Sequence, residues 1–341
     1  METVTSKQKK EFIMPDLSTD YMGLKLKNPL IVSSCDLVKT PEDIEKCAVA
    51  GAGAVVLKSI FEEQFIIEAD IDNSAFSGYP EALDYMQSGG LMEYAPNAMC
   101  DVITEAKKRV DIPIIASINC QTDKLWPSFA QQVQDAGADG LELNIYAMPF
   151  EIGKPGTFFE DHHLKIMREV KKSVSVPVSV KLTPEITSLP HLVHRLADEG
   201  CEAVVLFNWF MRVDINIEKL TTRSLKGAGD LSTCIKWVAL LADRVACDIA
   251  SSGGVRNGED VVKLLLAGAQ IVQICSLFYQ KGLSVISELL NTVDRWMADK
   301  KFPVLDDLRG ELSFKKQELQ FTGLGESGAY FRNQYLKTYT K

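Results

Sequence analysis

Asp248-Ile-Ala-Ser-Ser-Gly-Gly-Val255, followed by Gly258-Glu-Asp260, Leu266-Ala-Gly-Ala269 and Ile271-Val-Gln-Ile-Cys-Ser276, decides the fold of this 341-residue chain. A short apolar strand runs into paired glycines. A helical run then leads to a second apolar strand that ends in small polar residues. Glycines without a Cβ let the backbone approach a ligand, and the helix N-terminus beside them receives an anion. Near the end of a chain that alternates strands and helices, this is the phosphate-binding corner of a (β/α)8 barrel. The ligand it predicts is a phosphate-bearing cofactor.

Working outward, the sequence predicts strands at Leu30–Ser34, Ala54–Ser59, Ile114–Asn119, Gly140–Ile145, Val178–Leu182, Ala203–Asn208, Asp248–Ser252 and Ile271–Cys275. Helical patterns fall between them, near 41–50, 98–110, 127–136, 160–173, 189–199, 231–245 and 258–267, with a last one at 283–299. Near-continuous apolar strands suit a parallel sheet covered on both faces. Gly51-Ala-Gly53, Ala136-Gly-Ala138, Gly200-Cys-Glu-Ala203 and Ala267-Gly-Ala269 read as helix C-caps that lead into the next strand. The expected class is α/β, a (β/α)8 TIM barrel over residues 1–301. Long loops follow strand 2 (61–97) and strand 6 (211–230) on the catalytic face. A C-terminal extension, 302–341, is expected to pack on the barrel or on a neighbouring subunit.

Composition bounds the function. Hydrophobic residues make up 46% and charged residues 24%, enough for a large core. A net charge of −9 disfavours nucleic acid and anionic membrane surfaces as partners. Eight cysteines occur without a Cys-x-x-Cys pair, so neither an iron–sulfur cluster nor structural zinc is expected in this chain. His191 and His194 share a helical face without a third ligand, and no metal site is expected. The N-terminal stretch is not that of a signal peptide and no apolar run reaches membrane-spanning length. A cytoplasmic protein with reduced thiols is the expectation.

Polar residues recur where the strands end: Ser33 and Ser34, Lys58 and Ser59, Asn119 and Cys120, Asn144 and Tyr146, Lys181, and Asn208. An ammonium group inside a barrel costs several kcal/mol without a partner. Lys58 and Lys181, each in an apolar strand, argue for a ligand rich in acceptors. The alternative is a pair of internal salt bridges, with Glu142 as one partner.

Six stretches carry a family resemblance: Leu26-Lys-Asn-Pro-Leu-Ile-Val-Ser-Ser34, Val56-Leu-Lys-Ser59, Ala116-Ser-Ile-Asn-Cys120, Leu141-Glu-Leu-Asn144, Val180-Lys-Leu-Thr-Pro184, and Ser251-Ser-Gly-Gly254 with Val272-Gln-Ile-Cys-Ser276. In this order they resemble the dihydroorotate dehydrogenase family, and also the flavin domain of dihydropyrimidine dehydrogenase. The resemblance implies FMN at the barrel's C-terminal mouth. It places Ser33, Ser34, Lys58, Ser59, Asn119, Asn144 and Lys181 about the flavin ring and ribityl chain. Ser252, Gly253, Gly254, Cys275 and Ser276 would lie at the phosphate, with Gly229 adding a further amide. Lys58 and Asn208 would contact substrate.

The chain departs from that pattern where the family carries its base. Asn144-Ile-Tyr-Ala-Met-Pro-Phe150 puts Ala147 and Met148 where the family has a proton-accepting cysteine or serine. Trp209 follows Asn208 where a small hydroxyl residue is usual. Tyr146 is the candidate replacement acid, and an aromatic that simply packs in the mouth is the other reading. The resulting expectation is an FMN-dependent oxidoreductase that passes a hydride between flavin N5 and a small CH–CH substrate other than dihydroorotate. A homodimer is compatible with the sequence, which names no electron acceptor. Two alternatives stand beside it: a Schiff-base aldolase or lyase using Lys58 or Lys181, and a flavin-binding protein without turnover.

Overall fold

The computed structural model describes residues 15–61, 96–119, 125–145, 147, 149–209, 213–224 and 229–320. In chain order the strands are β1 (Thr19–Tyr21), β2 (Leu24–Leu26), β3 (Leu30–Val32), β4 (Ala54–Val56), β5 (Ile60–Phe61), β6 (Ile114–Asn119), β7 (Gly140–Asn144), β8 (Val178–Leu182), β9 (Ala203–Leu206), β10 (Val213–Asn216), β11 (Thr221–Ser224), β12 (Asp248–Ser252) and β13 (Ile271–Ile274). The helices are α1 (Pro41–Val49), α2 (Pro96–Ala106), α3 (Trp126–Asp135), α4 (Gly156–Ser173), α5 (Leu189–Asp198), α6 (Leu231–Leu241), α7 (Gly258–Ala267), α8 (Ser276–Lys281), α9 (Val285–Lys300), α10 (Leu305–Leu308) and α11 (Phe314–Gln320).

Eight parallel strands close a ring in the order β4-β3-β13-β12-β9-β8-β7-β6, and β6 pairs back onto β4. This is the expected (β/α)8 barrel. Both strand faces are buried, each for its own reason. Leu30, Val32, Val55, Ile114, Leu141, Leu143, Val180, Val204 and Val272 point outward and join the helices in one large apolar core. The alternate set, Ile31, Ala54, Val56, Ile115, Ala203, Val205, Ala250 and Ile271, fills the lower half of the barrel. The period of two along a strand requires this division.

The β1–β2 hairpin, which the sequence pattern did not predict, closes the bottom. Tyr21, Met22 and Leu26 pack against that lower layer, and Met22 N–H donates to Asp248 Oδ2 at 2.7 Å. Above this largely apolar floor, Ser33, Glu142, Lys181 and Gln273 lie toward the C-terminal mouth.

Expected and observed strands differ most after β4. The predicted run Ala54–Ser59 is a strand only as far as Val56, with β5 following beyond its end; between them Ser59 N–H donates to Ser34 Oγ at 2.9 Å instead of to a ladder carbonyl. The loop after β9 contains a second hairpin, β10–β11, in antiparallel register. Residues 62–95 of the loop after strand 2 lie outside the described residues. The described part of the C-terminal extension lies on the barrel: Gly310 N–H donates to Leu265 O at 3.0 Å, Leu312 N–H to Leu266 O at 2.8 Å, and Phe314 is buried. Among the described residues no helix is long and apolar enough to cross a membrane.

Candidate active site

Two residues above the apolar floor, the inward positions turn polar. Ile31 gives way to Ser33, Ile115 to Ser117 and Ile271 to Gln273, while β7 and β8 present Glu142 and Lys181. Lys181 is 7% exposed and Glu142 1%. Lys181 Nζ donates to Gln273 Oε1 at 3.0 Å, to Ser33 Oγ at 3.1 Å and to Glu142 Oε1 at 3.4 Å. Gln273 Nε2 in turn donates to Glu142 Oε2 at 2.5 Å. The buried ammonium and the buried carboxylate therefore neutralise each other, with an amide bridging them. The longest contact, to Glu142, is past the usual hydrogen-bond range, so the pair is held as much by charge as by geometry.

Lys58 forms an ion pair with Asp36, the first residue after Cys35. The ammonium beside it holds the Asp36 carboxyl below the usual carboxylate range. Both of the lysines that the sequence assigned to a ligand thus have a carboxylate partner, which is the internal salt-bridge arrangement weighed as the alternative. The two pairs are unlike. Lys58 is 31% exposed and Asp36 54%, so that pair contributes at most about 1 kcal/mol. The Lys181–Glu142 pair is sealed inside the barrel.

Ser34, Ser59 and Ser117 form a hydroxyl chain on the strand 1–2–3 side. Ser34 Oγ and Ser59 Oγ lie 3.1 Å apart, and Ser59 Oγ and Ser117 Oγ 2.7 Å apart. Asn119 is buried at the end of β6, in register with Phe61. Across the mouth, Asn208 Nδ2 donates to Asn144 Oδ1 at 2.5 Å. That pairing brings the end of β7 to the end of β9 and leaves each amide a further polar atom.

The glycine corner is built as the opening stretch implied. Gly253 and Gly254 take φ of 115° and 84°, which L-residues rarely adopt. Cys275 caps α8 and Ser276 begins it, so the start of this helix lies at the corner. Trp209 forms one wall. Its Nε1 donates to Ser252 O at 2.9 Å, and a Cβ at Gly229 or Gly253 would stand 2.1 or 2.2 Å from that nitrogen. A cavity of about 140 Å³ remains between Trp209, Gly229, the Ser252–Val255 turn and the Gln273–Ser276 segment.

The structure therefore brings together Ser33, Ser34, Lys58, Ser59, Asn119, Asn144, Lys181, Asn208, Gly229, Ser252, Gly253, Gly254, Cys275 and Ser276 at one end of the barrel. Tyr146, Met148 and Cys120 lie outside the described residues. Ala147 is buried and carries no titratable group. Sequence reasoning passed over Gln273 and Ser117 and took Glu142 only as a salt-bridge partner. Strand parity would have found all three, since each lies an even number of residues from a recognised inward position.

A parallel barrel with an apolar floor, a buried ammonium network at the strand ends and a glycine-lined corner on its last two strands belongs to the class that holds an anionic, acceptor-rich ligand at its C-terminal mouth. The dihydroorotate dehydrogenase family model matches residues 16–297, and the chain belongs to that family. It is 28% identical over 312 residues to the dihydroorotate dehydrogenase B (NAD(+)) catalytic subunit of Thermoplasma acidophilum, covering 87% of this chain and 99% of that one. The catalytic subunits of the same name from Pyrococcus abyssi (30% over 313 residues, 86% and 98% covered) and Methanocaldococcus jannaschii (27% over 309 residues, 86% and 97%) are similar at the same level. Members of the family are flavoproteins acting on CH–CH groups, and this chain is an oxidoreductase of that kind.

Proposed function

We propose that the chain holds FMN at its C-terminal mouth and exchanges hydride with a small CH–CH substrate other than dihydroorotate. The observation that carries the cofactor assignment is Lys181, 7% exposed and aimed at Ser33 and Gln273 beneath the mouth. A flavin places acceptor atoms along its polar edge, and charge that builds there is stabilised by a preorganised ammonium. The residues present fit the group. The cavity at Gly253, Gly254, Cys275 and Ser276 has room for a phosphate and is bounded by two glycines and the start of α8. Bound FMN would supply hydride exchange at its N5.

The chain's own groups do the rest. The Gly253–Gly254 and Cys275–Ser276 amides hold the phosphate, with Gly229 and Ser252 beside them. Lys181 and Asn144 hold the ring edge, and Ser33, Ser34, Ser59 and Asn119 line it. Lys58 turns from Asp36 toward substrate at small cost, because the ion pair it leaves is solvated. Asn208 orients the substrate from the opposite side. Ala147 accepts no proton, and the loss of a positioned base costs ~10²–10⁴-fold. That loss is the ground for excluding dihydroorotate, and Tyr146 is assigned as the acid on the substrate side. The relatives are named as NAD(+) enzymes and as catalytic subunits. By that analogy a separate subunit that passes electrons to NAD is the proposed partner, and the cytoplasm the proposed compartment.

The test is the absorption spectrum of the purified protein, with its cofactor extracted and compared with FMN and FAD. A colourless protein trapped by borohydride with substrate would overturn the assignment in favour of a lysine Schiff base. Anaerobic mixing with dihydroorotate tests the substrate: flavin bleaching as fast as in family members with a cysteine or serine base refutes the exclusion.

A further inference from the structure

Cys35 and Cys275 meet at the mouth from neighbouring strands. β3 and β13 are paired in parallel, with Val32 opposite Ile274 and Ser33 N–H donating to Ile274 O at 2.9 Å. Cys275 is the next residue on one strand, and Cys35 lies three beyond the end of the other. Each thiol exerts the largest single influence on the other's titration. Both cysteines are free and partly exposed. Tyr279, on α8, completes the group: its oxygen accepts from Asp36 N–H at 2.9 Å and so ties the segment that carries Cys35 to the helix that Cys275 caps.

The two sulfurs are electrostatically unlike. The Cys275 S–H, the Leu37 N–H and the Tyr279 hydroxyl all stabilise a Cys35 thiolate, and together they outweigh its burial and hold it below the usual thiol range. Cys275 is pushed up by the same contact and by burial. Elsewhere burial, the largest cause in each case, pushes Cys47, Cys234 and Cys247 up to about 12 and raises Cys201 as well. The thiolate is the reactive form of cysteine, so the pair holds one activated thiol and one partner positioned to resolve it.

We propose that Cys35 and Cys275 form a reversible disulfide across the barrel mouth, with a peroxide as oxidant. The Cys35 sulfur attacks the peroxide: an S–O bond forms, the O–O bond breaks and hydroxide leaves, giving a sulfenic acid. The Cys275 sulfur then attacks Cys35, an S–S bond forms, and the sulfenic oxygen departs as water. Two thiols are oxidised by two electrons and one peroxide is reduced to two waters. A disulfide requires closely opposed Cβ atoms, and here the two cysteines follow the ends of adjacent paired strands, with Asp36 N–H bonded to a side chain of the helix that Cys275 caps. The inference is independent of which cofactor the corner holds.

The experiment uses the full-length protein, reduced and then exposed to hydrogen peroxide, blocked with iodoacetamide, digested without reductant and mapped by mass spectrometry. The expected product is a peptide joining Cys35 to Cys275, lighter by two hydrogens and lost on treatment with dithiothreitol. Before oxidation, Cys35 should alkylate on the order of tenfold faster than Cys47, Cys201 and Cys234. In Cys275→Ser the oxidised product should stop at a Cys35 sulfenic acid captured by dimedone, a readout that needs no catalytic activity. Two results overturn the proposal: Cys35 labelling no faster than the buried thiols, or dimedone-reactive Cys35 persisting in the wild type without the cross-linked peptide.

Discussion

Replacing Gly254 with alanine puts the glycine corner to a quantitative test. Gly254 has φ of 84°, and a Cβ built on it stands 2.3 Å from Leu231 N and 2.6 Å from Leu231 Cα. Leu231 opens α6, whose first turn is fixed by the Asp230 carboxylate accepting from Ser232 and Thr233 N–H. The obstacle is therefore backbone, and no rotamer change removes it. The left-handed conformation alone costs an alanine about 1–2 kcal/mol. Forcing the two segments apart adds about 1–3 kcal/mol, the usual cost of overpacking. Gly23 supplies the control, since its φ is 76° and nothing lies within 4 Å of its added Cβ. Gly23→Ala should show the conformational cost alone. Urea unfolding at neutral pH compares the two, and Gly254→Ala should be the less stable by about 1–3 kcal/mol. It should also release flavin on gel filtration where Gly23→Ala retains it. Equal midpoints and equal flavin content in the two variants would refute the claim that this corner is packed backbone against backbone.

Lys181→Met should destabilise by about 3–5 kcal/mol, because it strands the Glu142 carboxylate in the barrel, and Lys181→Met with Glu142→Gln should recover most of that loss. Denaturant unfolding of the single and double variants decides it; a double variant no better than the single refutes the pairing. His163, fully buried on α4, is depressed to about 4 chiefly by burial. Its neutral form is the folded form, so it contributes nothing pH-dependent above its unfolded value of 6.5. As pH falls from there to about 4, the unfolded chain takes up a proton that the folded one refuses, and stability drops by about 1 kcal/mol per pH unit. His163→Leu should flatten that part of the urea-midpoint profile, and an unchanged slope between pH 6 and pH 4 contradicts it. Trp209→Phe should cost under about 1 kcal/mol in thermal unfolding, since Ser252 O keeps the Phe207 N–H at 2.9 Å when the indole donor is lost.

The barrel was legible because its cause is local and repeated. Apolar strands and helical spacing recur eight times, four of the joints carry glycine C-caps, and β8 and β12 coincide with their predicted bounds. The two hairpins were not legible for opposite reasons. In β1–β2 only three residues pair on each side, too few for a periodic signal, and its role as a floor appears only when eight strands converge on it. In β10–β11 the alternation of Val213 and Ile215 with Asp214 and Asn216 is present, but Val213 and Ile215 stay exposed, so burial cannot be what specifies the pairing. The site divided along similar lines. Glycines and strand-end lysines announce themselves by type. Gln273 does not, because a glutamine in a strand is ordinary until its neighbours across the barrel are known to be Lys181 and Glu142.

That distinction bears on how one barrel can keep a cofactor site while its substrate site changes. Lys181, Gln273, Glu142 and Ser33 sit on the inner faces of β8, β13 and β7 and just past β3, where strand register fixes them to one another. Changing one leaves a buried charge or amide unmatched, at a cost of several kcal/mol. Gly253 and Gly254 are constrained as strongly, by φ and by Leu231. Ala147 and Asn208, by contrast, follow the strand ends, where a substitution alters what the mouth accepts without unpairing the network below. The proposed assignment of FMN to the first group and substrate to the second follows from this separation. It requires that Asn208→Ala weaken turnover while leaving bound flavin in place, whereas Lys181→Met lowers flavin content. Loss of flavin from Asn208→Ala would show that the two layers are one site.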